Sequence, residues 1–317
     1  MATSGIYSVT VTRDQIVRQA LLNIKKIDGI DPIPADIMND CVLALNLLVK
    51  QWQGKADFAP GLKVWTRKRG HLFLRAFTGQ YAVGPSLQGW TESYNQTWST
   101  ASVAAAGVTL PVSSLSGMTI GDNIAVELDT GDLFWSTIAS FGTLTVNLSS
   151  PLPSSSASGN VVFSYTSTAQ MPVYVETALL RDINASDTPL NIMQSRDYDF
   201  LPNKTSPNNY GDPTAIYVET KLGYTNIYTD IAGSNDVTKH IVLTYLEPLQ
   251  VFVNNTDTAY FPDEWLRPLA WALGKEVAPM FNAAWSPTME ANYSDAMAIA
   301  KHKDPEVETR YFQCGAD

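Results

Sequence analysis

The chain has 317 residues, of which 45% are apolar, and a net charge of -10. That is enough apolar material to pack one large domain or two smaller ones, and it excludes disorder as the default state. No run reaches the roughly 18 to 20 apolar residues of a membrane helix, so no membrane insertion is expected, and a globally acidic chain is a poor sequence-specific DNA binder.

The charge is unevenly spread: +5 over residues 1–84, -5 over 85–170, where Lys and Arg are absent, and -10 over 171–317. The basic N-terminal part could face a polyanion or an acidic partner. Met1 to Gly5 has neither a basic nor an apolar leader region, so no secretory signal is read. Cys41 and Cys314 make no disulfide framework, which fits synthesis in a reducing cytoplasm.

Thr12-Arg13-Asp14-Gln15 has the form of a capping box, and Ile16, Val17, Ala20, Leu21, Ile24 and Ile27 follow at helical spacing. Gly29 and Pro32 break that helix. Pro34 suits the first position of a second one, whose stripe is Ile37, Cys41, Leu45, Leu48 and Trp52 and which Gly54 ends. Two such helices on a short loop should pack as an antiparallel hairpin. Leu62–Thr66 and His71–Arg75 are strand-like, with Thr66-Arg67-Lys68-Arg69 between them as the one marked charge cluster. That cluster reads either as a solvated hairpin turn or as a contact, through Arg67, Lys68 and Arg69, to DNA backbone or an acidic neighbour.

Residues 95–168 alternate short β-prone runs with turn signals, and Asp129-Thr130-Gly131-Asp132 suits a hairpin turn. The pattern predicts an inserted β-sandwich or barrel. Further strands are predicted over 172–177, 215–220, 225–229 and 240–246. Helices return at Phe261-Pro262-Asp263-Glu264-Trp265-Leu266, with Leu269, Ala270, Leu273 and Val277 on the apolar face and Pro279 as the stop. Pro268 argues that the regular helix begins only there. Ser286-Pro287 opens a last helix with Tyr293, Ala296, Met297 and Ala300 as its stripe.

The expected fold class is α+β: a helical bundle core from the N- and C-terminal helix pairs, with β strands and the inserted small domain between them. The expected segments are a helical hairpin (1–60), a β-rich connecting region (61–94 and 169–258), the insert (95–168), the C-terminal helices (259–303) and a tail (304–317).

Chemistry is sparse. His71, His240 and His302 have no ligands at metal spacing. Asp129-Thr130-Gly131 echoes the aspartic proteases, but that chemistry needs two such carboxylates and a turn accounts for one. The sequons at Asn95, Asn147 and Asn184 read as chance without a signal peptide. Asp197 and Asp199 could imitate a glycosidase pair, but only their separation in space would decide it. The expectation is no enzyme, no metal and no cofactor.

Three motifs, in order, resemble the head-to-tail adaptor (connector, packaged-DNA stabilisation or tubular tail) proteins of short-tailed bacteriophages. They are Arg13-Asp14-Gln15-Ile16-Val17-Arg18-Gln19-Ala20-Leu21 with Val49-Lys50-Gln51-Trp52, then Gly121 to Gly131 followed by Trp135, then Phe261 to Leu273 continuing to Ala278-Pro279. The resemblance implies a virion protein of the tail or neck, made in the host cytoplasm. It implies a homo-oligomeric ring, typically dodecameric, clamped beneath the portal protein and enclosing DNA without reading its sequence. A tail nozzle or tube protein is the implied partner below, and a tail fibre a further one. The segment after Asp304 would dock on the portal, with Tyr311 and Phe312 as apolar anchors. Two rivals stand beside it: a tail component whose β insert, through Trp98 and Trp135, binds or cleaves host-surface glycan, and a tube protein one position further down.

Overall fold

A computed structural model describes residues 9–28, 32–56, 59–60, 64–204, 206, 208–233 and 236–303. In chain order its elements begin with α1 (Arg13–Asn23), α2 (Ala35–Trp52), β1 (Lys55–Ala56), β2 (Ala59–Pro60), β3 (Arg67–Phe73), β4 (Gln80–Val83) and β5 (Trp90–Thr91). There follow β6 (Asn95–Trp98), β7 (Thr109–Pro111), β8 (Asn123–Glu127), β9 (Leu133–Gly142), β10 (Thr145–Leu148) and β11 (Val161–Tyr165). The rest are β12 (Tyr174–Arg181), β13 (Asp187–Met193), α3 (Ser195–Asp199), β14 (Ala215–Thr220), β15 (Thr225–Thr229), β16 (His240–Leu246), α4 (Asp263–Val277) and α5 (Pro287–Lys303). The chain divides into two compact units, Met1–Thr66 with Leu249–Asp317, and Arg67–Pro248.

The first unit joins both ends of the chain. Thr12 caps α1 in a full capping box: its hydroxyl accepts from the Gln15 amide, and the Gln15 side chain accepts from the Thr12 amide at 2.9 Å. The helix stops earlier than the apolar periodicity suggests. Lys25 takes a left-handed conformation (φ 57°), and the Lys26 and Lys25 amides turn back to the Leu21 and Leu22 carbonyls. This is the Schellman arrangement with lysine where glycine is usual. Ile27 therefore packs from the loop, partly buried. Helix α4 runs through Pro268 without a break, so the expectation that it begins there is corrected. Only one intrahelical bond, to the Glu264 carbonyl near the helix start, is forfeited, and the Pro268 ring is buried.

One core holds these helices. Ile16, Val17, Ala20 and Leu21 of α1 meet Cys41, Leu45, Val49 and Trp52 of α2 and Trp265, Leu269 and Leu273 of α4. Gly274 lets α4 approach α1 closely, since a Cβ there would stand 3.3 Å from the Ala20 carbonyl oxygen. Trp265 packs edge-on to Trp52 at 5.7 Å and tilted against Trp65 at 5.9 Å, with Phe261 beside both. The segment after Leu249 lies along α2, where Asn46 exchanges two hydrogen bonds of 2.9 Å with the Phe252 backbone.

The second unit holds two sheets. The larger has eight strands in the order β4-β15-β14-β13-β12-β16-β3-β5. Its pairs are antiparallel except β13 with β14, whose parallel pairing is reached through a connection containing α3. The smaller has six antiparallel strands in the order β6-β11-β8-β9-β10-β7. Its ends also meet: Ser99 bridges Val112, the Thr100 amide donates to Pro111 at 3.0 Å, and the Ser113 amide donates to Trp98 at 2.9 Å. The sheet thereby closes on itself as a small barrel around Leu110, Ile124, Val126, Ile138, Val146 and Val162. Strand β11 is buried at every position. Val162 faces the barrel interior, while Val161, Phe163 and Tyr165 cover Phe73 of the larger sheet.

These sheets correct the expected fold class. The chain is mostly β, and its helices do not form a bundle around which the rest is arranged. Local periodicity reports helices well, but it does not reveal that β3 pairs with β16 across most of the chain.

Candidate assembly surfaces

The basic cluster lies on β3, one strand in from the sheet edge, and not in a turn. Gly70 is the reason a strand can run through it: a Cβ there would overlap the Trp90 indole. Arg67 Nε sits 2.7 Å from Glu176 Oε2, and Lys68 Nζ lies 3.8 Å from Glu247. Both cations thus already face carboxylates of their own unit. Arg69 is exposed. The three do not form one face, because neighbours on a strand point to opposite sides.

His71 and His240 lie 169 residues apart in sequence, yet β3 and β16 bring them together. His71 Nδ1 stands 3.2 Å from His240 Nε2, and both rings are buried. Tyr94 packs edge-on to both. Arg181 and Asp187, paired through two contacts of 2.7 Å, lie close enough to influence the rings. Burial pushes His71 down to about 4, aided by Arg181 and Arg69 and opposed by Asp187. Burial pushes His240 down to about 3, aided by His71 and Arg181 and opposed by Asp187. Both imidazoles are therefore neutral at pH 7, and one proton serves the contact between them. Among the described residues no cluster of His, Cys, Asp or Glu has the arrangement of a metal site.

Asp129 is a turn residue. Its carboxylate accepts from the Ser155 hydroxyl at 2.6 Å and the Ala157 amide at 2.8 Å, and the Ser155 bond leads in holding it below the usual carboxylate range. The Leu128 amide donates to Asp132 across the β8–β9 turn at 2.9 Å. Asp197 and Asp199 both sit on the single-turn helix α3 and flank the buried Tyr198. Tyr311 and Phe312 lie outside the described residues.

Sequence reasoning missed one concave surface of the first unit. In the first unit a groove of about 740 Å³ opens between α1 and α4. Ile16, Leu22, Leu266, Ala270 and Trp271 give it apolar walls, and Arg18 and Arg267 stand on its rim. A helical-wheel count of the flank residues of α1 and α4 was the signal that could have found it. A smaller cleft of about 270 Å³ in the second unit is lined by Arg75, Gln80, Gln88 and Trp135, among others. No helix among the described residues is long and apolar enough to cross a membrane.

No family model matches the chain, and no curated protein matches it. Among solved structures, VP17, a capsid protein of bacteriophage P23-77, aligns over 60% of this chain and 76% of its own length, at 8% identity and a TM-score of 0.12. A TM-score that low carries no argument about fold or function.

Proposed function

We propose that this chain is a structural subunit of a phage particle, a head-to-tail adaptor of a short-tailed phage that joins the portal to the tail as a ring. The supporting observation is where the resembling motifs fall. Ile16, Val17, Ala20 and Leu21 of the first motif share one core with Trp52 and with Trp265, Leu269 and Leu273 of the third. The second motif forms β8, the Asp129–Asp132 turn and the start of β9. Motifs at opposite ends of the chain thus build a single helical unit, and that unit carries the large groove. Such a subunit would retain packaged DNA by occupying the portal exit, without reading bases, and its tail from Asp304 would dock on the portal through Tyr311 and Phe312. The test is electron microscopy of the purified chain mixed with its portal, with the chain alone as control. A closed ring capping one end of the portal is expected. Free portal and free chain would refute the adaptor reading.

A second reading has one observation in its favour. Trp135 lines the smaller cleft beside Arg75 and Gln88, and Trp98 on β6 is 39% exposed. Aromatic and amide groups together suit a saccharide, which would make the β unit a glycan-binding tail component. Binding of the full chain to a host-surface glycan array, lost in Gln88→Ala, would favour it.

A further inference from the structure

Helix α2 carries a second surface that its core packing leaves unused. Asp36, Asp40, Leu43 and Leu47 follow at i, i+4, i+7 and i+11, so they form one stripe. The stripe faces away from Cys41, Leu45, Leu48 and Trp52, which enter the core. Leu43 is 61% and Leu47 64% exposed, and both aspartates are exposed. An apolar ridge of this kind in solvent is unusual on a helix whose opposite face is already buried.

The groove between α1 and α4 complements it in three respects. Its walls are apolar where the stripe presents leucines. Its rim is basic at the exposed Arg267, where the stripe is acidic. Its length also matches: α1 has eleven residues, about 16 Å, and Asp36 to Leu47 spans about 16 Å at the same rise per residue. The two surfaces share no residue.

We propose that the Asp36–Leu47 stripe of one copy seats in the α1–α4 groove of a second copy. The contact is head-to-tail: each copy that offers its stripe keeps its groove free for another. Such contacts repeat until rotation closes them into a ring. The proposal deepens the structural-subunit reading in requiring copies of the chain to meet, and it does not require the portal.

The test uses the full chain in sedimentation velocity over a concentration series. Leu47→Asp spoils the stripe and leaves the groove; Arg267→Asp spoils the groove and leaves the stripe. Each variant alone is expected to associate at least tenfold more weakly than the unmodified chain. Mixed in equal amounts they should form a dimer and nothing larger, because one intact stripe and one intact groove remain. Circular dichroism checks that each is folded, and Asp40→Lys, at an exposed position, is the second stripe variant should Leu47→Asp fail to fold. An unmodified chain that stays monomeric, variants that assemble like it, or a mixture without a dimer would each overturn the proposal. A chain that assembles through this contact and ignores the portal would sink the adaptor reading alone.

Discussion

The helical unit and the barrel solve the same problem in opposite ways. The barrel is built from one continuous stretch, Asn95 to Tyr165, and short turns join β8 to β9 and β9 to β10. The helical unit draws on segments 254 residues apart, as the 3.1 Å bond from the Val9 amide to Asp263 illustrates. The barrel closes its own hydrogen bonds between strands, whereas each helix satisfies most of its backbone internally and is held to its neighbours mainly by side-chain packing, with a few bonds such as those of Asn46 to the Phe252 backbone. The lesson is that the barrel's stability is set by register, and the helical unit's by a few large side chains. The eight-stranded sheet pairs strands from both sides of the barrel segment.

The sharpest test of that contrast is Trp265→Ala. Trp265 is 1% exposed and touches both Trp52 and Trp65. Truncation is expected to cost about 3–5 kcal/mol. Urea unfolding followed at 222 nm should show an early loss of helix while the β signal persists. A single unchanged transition would contradict the picture of a helical unit held by side-chain packing.

Acid should act on the other unit. His71 and His240 are neutral in the fold, while their counterparts in the unfolded chain take up protons below about 6.5. Their contribution is therefore fully present above that pH and is lost as pH falls toward about 4. For His71 alone the loss approaches about 3 kcal/mol. Thermal melts between pH 7 and 4 should show the β unit falling first. His240→Gln should flatten that dependence, and a melting profile identical to that of the unmodified chain would rule out the pair as its source.

Gly70→Ala asks whether register or close approach holds β3. The added carbon overlaps the Trp90 indole, and overpacking of this kind costs roughly 1–3 kcal/mol. Tryptophan fluorescence during denaturation reads it directly; an unchanged midpoint would mean that Trp90 shifts freely.

The smallest expected effect is a gain. Lys25→Gly relieves a left-handed backbone at the end of α1, offset by the greater freedom of glycine in the unfolded chain, for a net of about 0.5 kcal/mol. A small rise in the helical unit's midpoint is expected, and a fall would indicate that the Lys25 side chain stabilises this turn.

Much of this was legible in the residues. Thr12 and Gln15 announced the start of α1, and the stripe of α2 matched its buried face at Cys41, Leu45, Leu48 and Trp52. The strands at 215–220, 225–229 and 240–246 and the turn at Asp129–Asp132 could be placed from alternation and turn chemistry. The candidate surfaces were less legible. Arg67 and Lys68 looked free because their partners Glu176 and Glu247 are remote in sequence, and His71 and His240 looked solitary for the same reason.

The sequence by itself determined most of the local elements, because capping, helical periodicity and turn chemistry act over a few residues, although Val64–Thr66, expected in a strand, forms a 3-10 turn and α4 starts ahead of Pro268. Only the tertiary structure decided that the chain is mostly β, that the six-stranded sheet closes through Ser99 and Val112, and that a groove opens between α1 and α4. Strand partners and helix flanks are fixed by which distant segments meet, and that is a property of the packed whole.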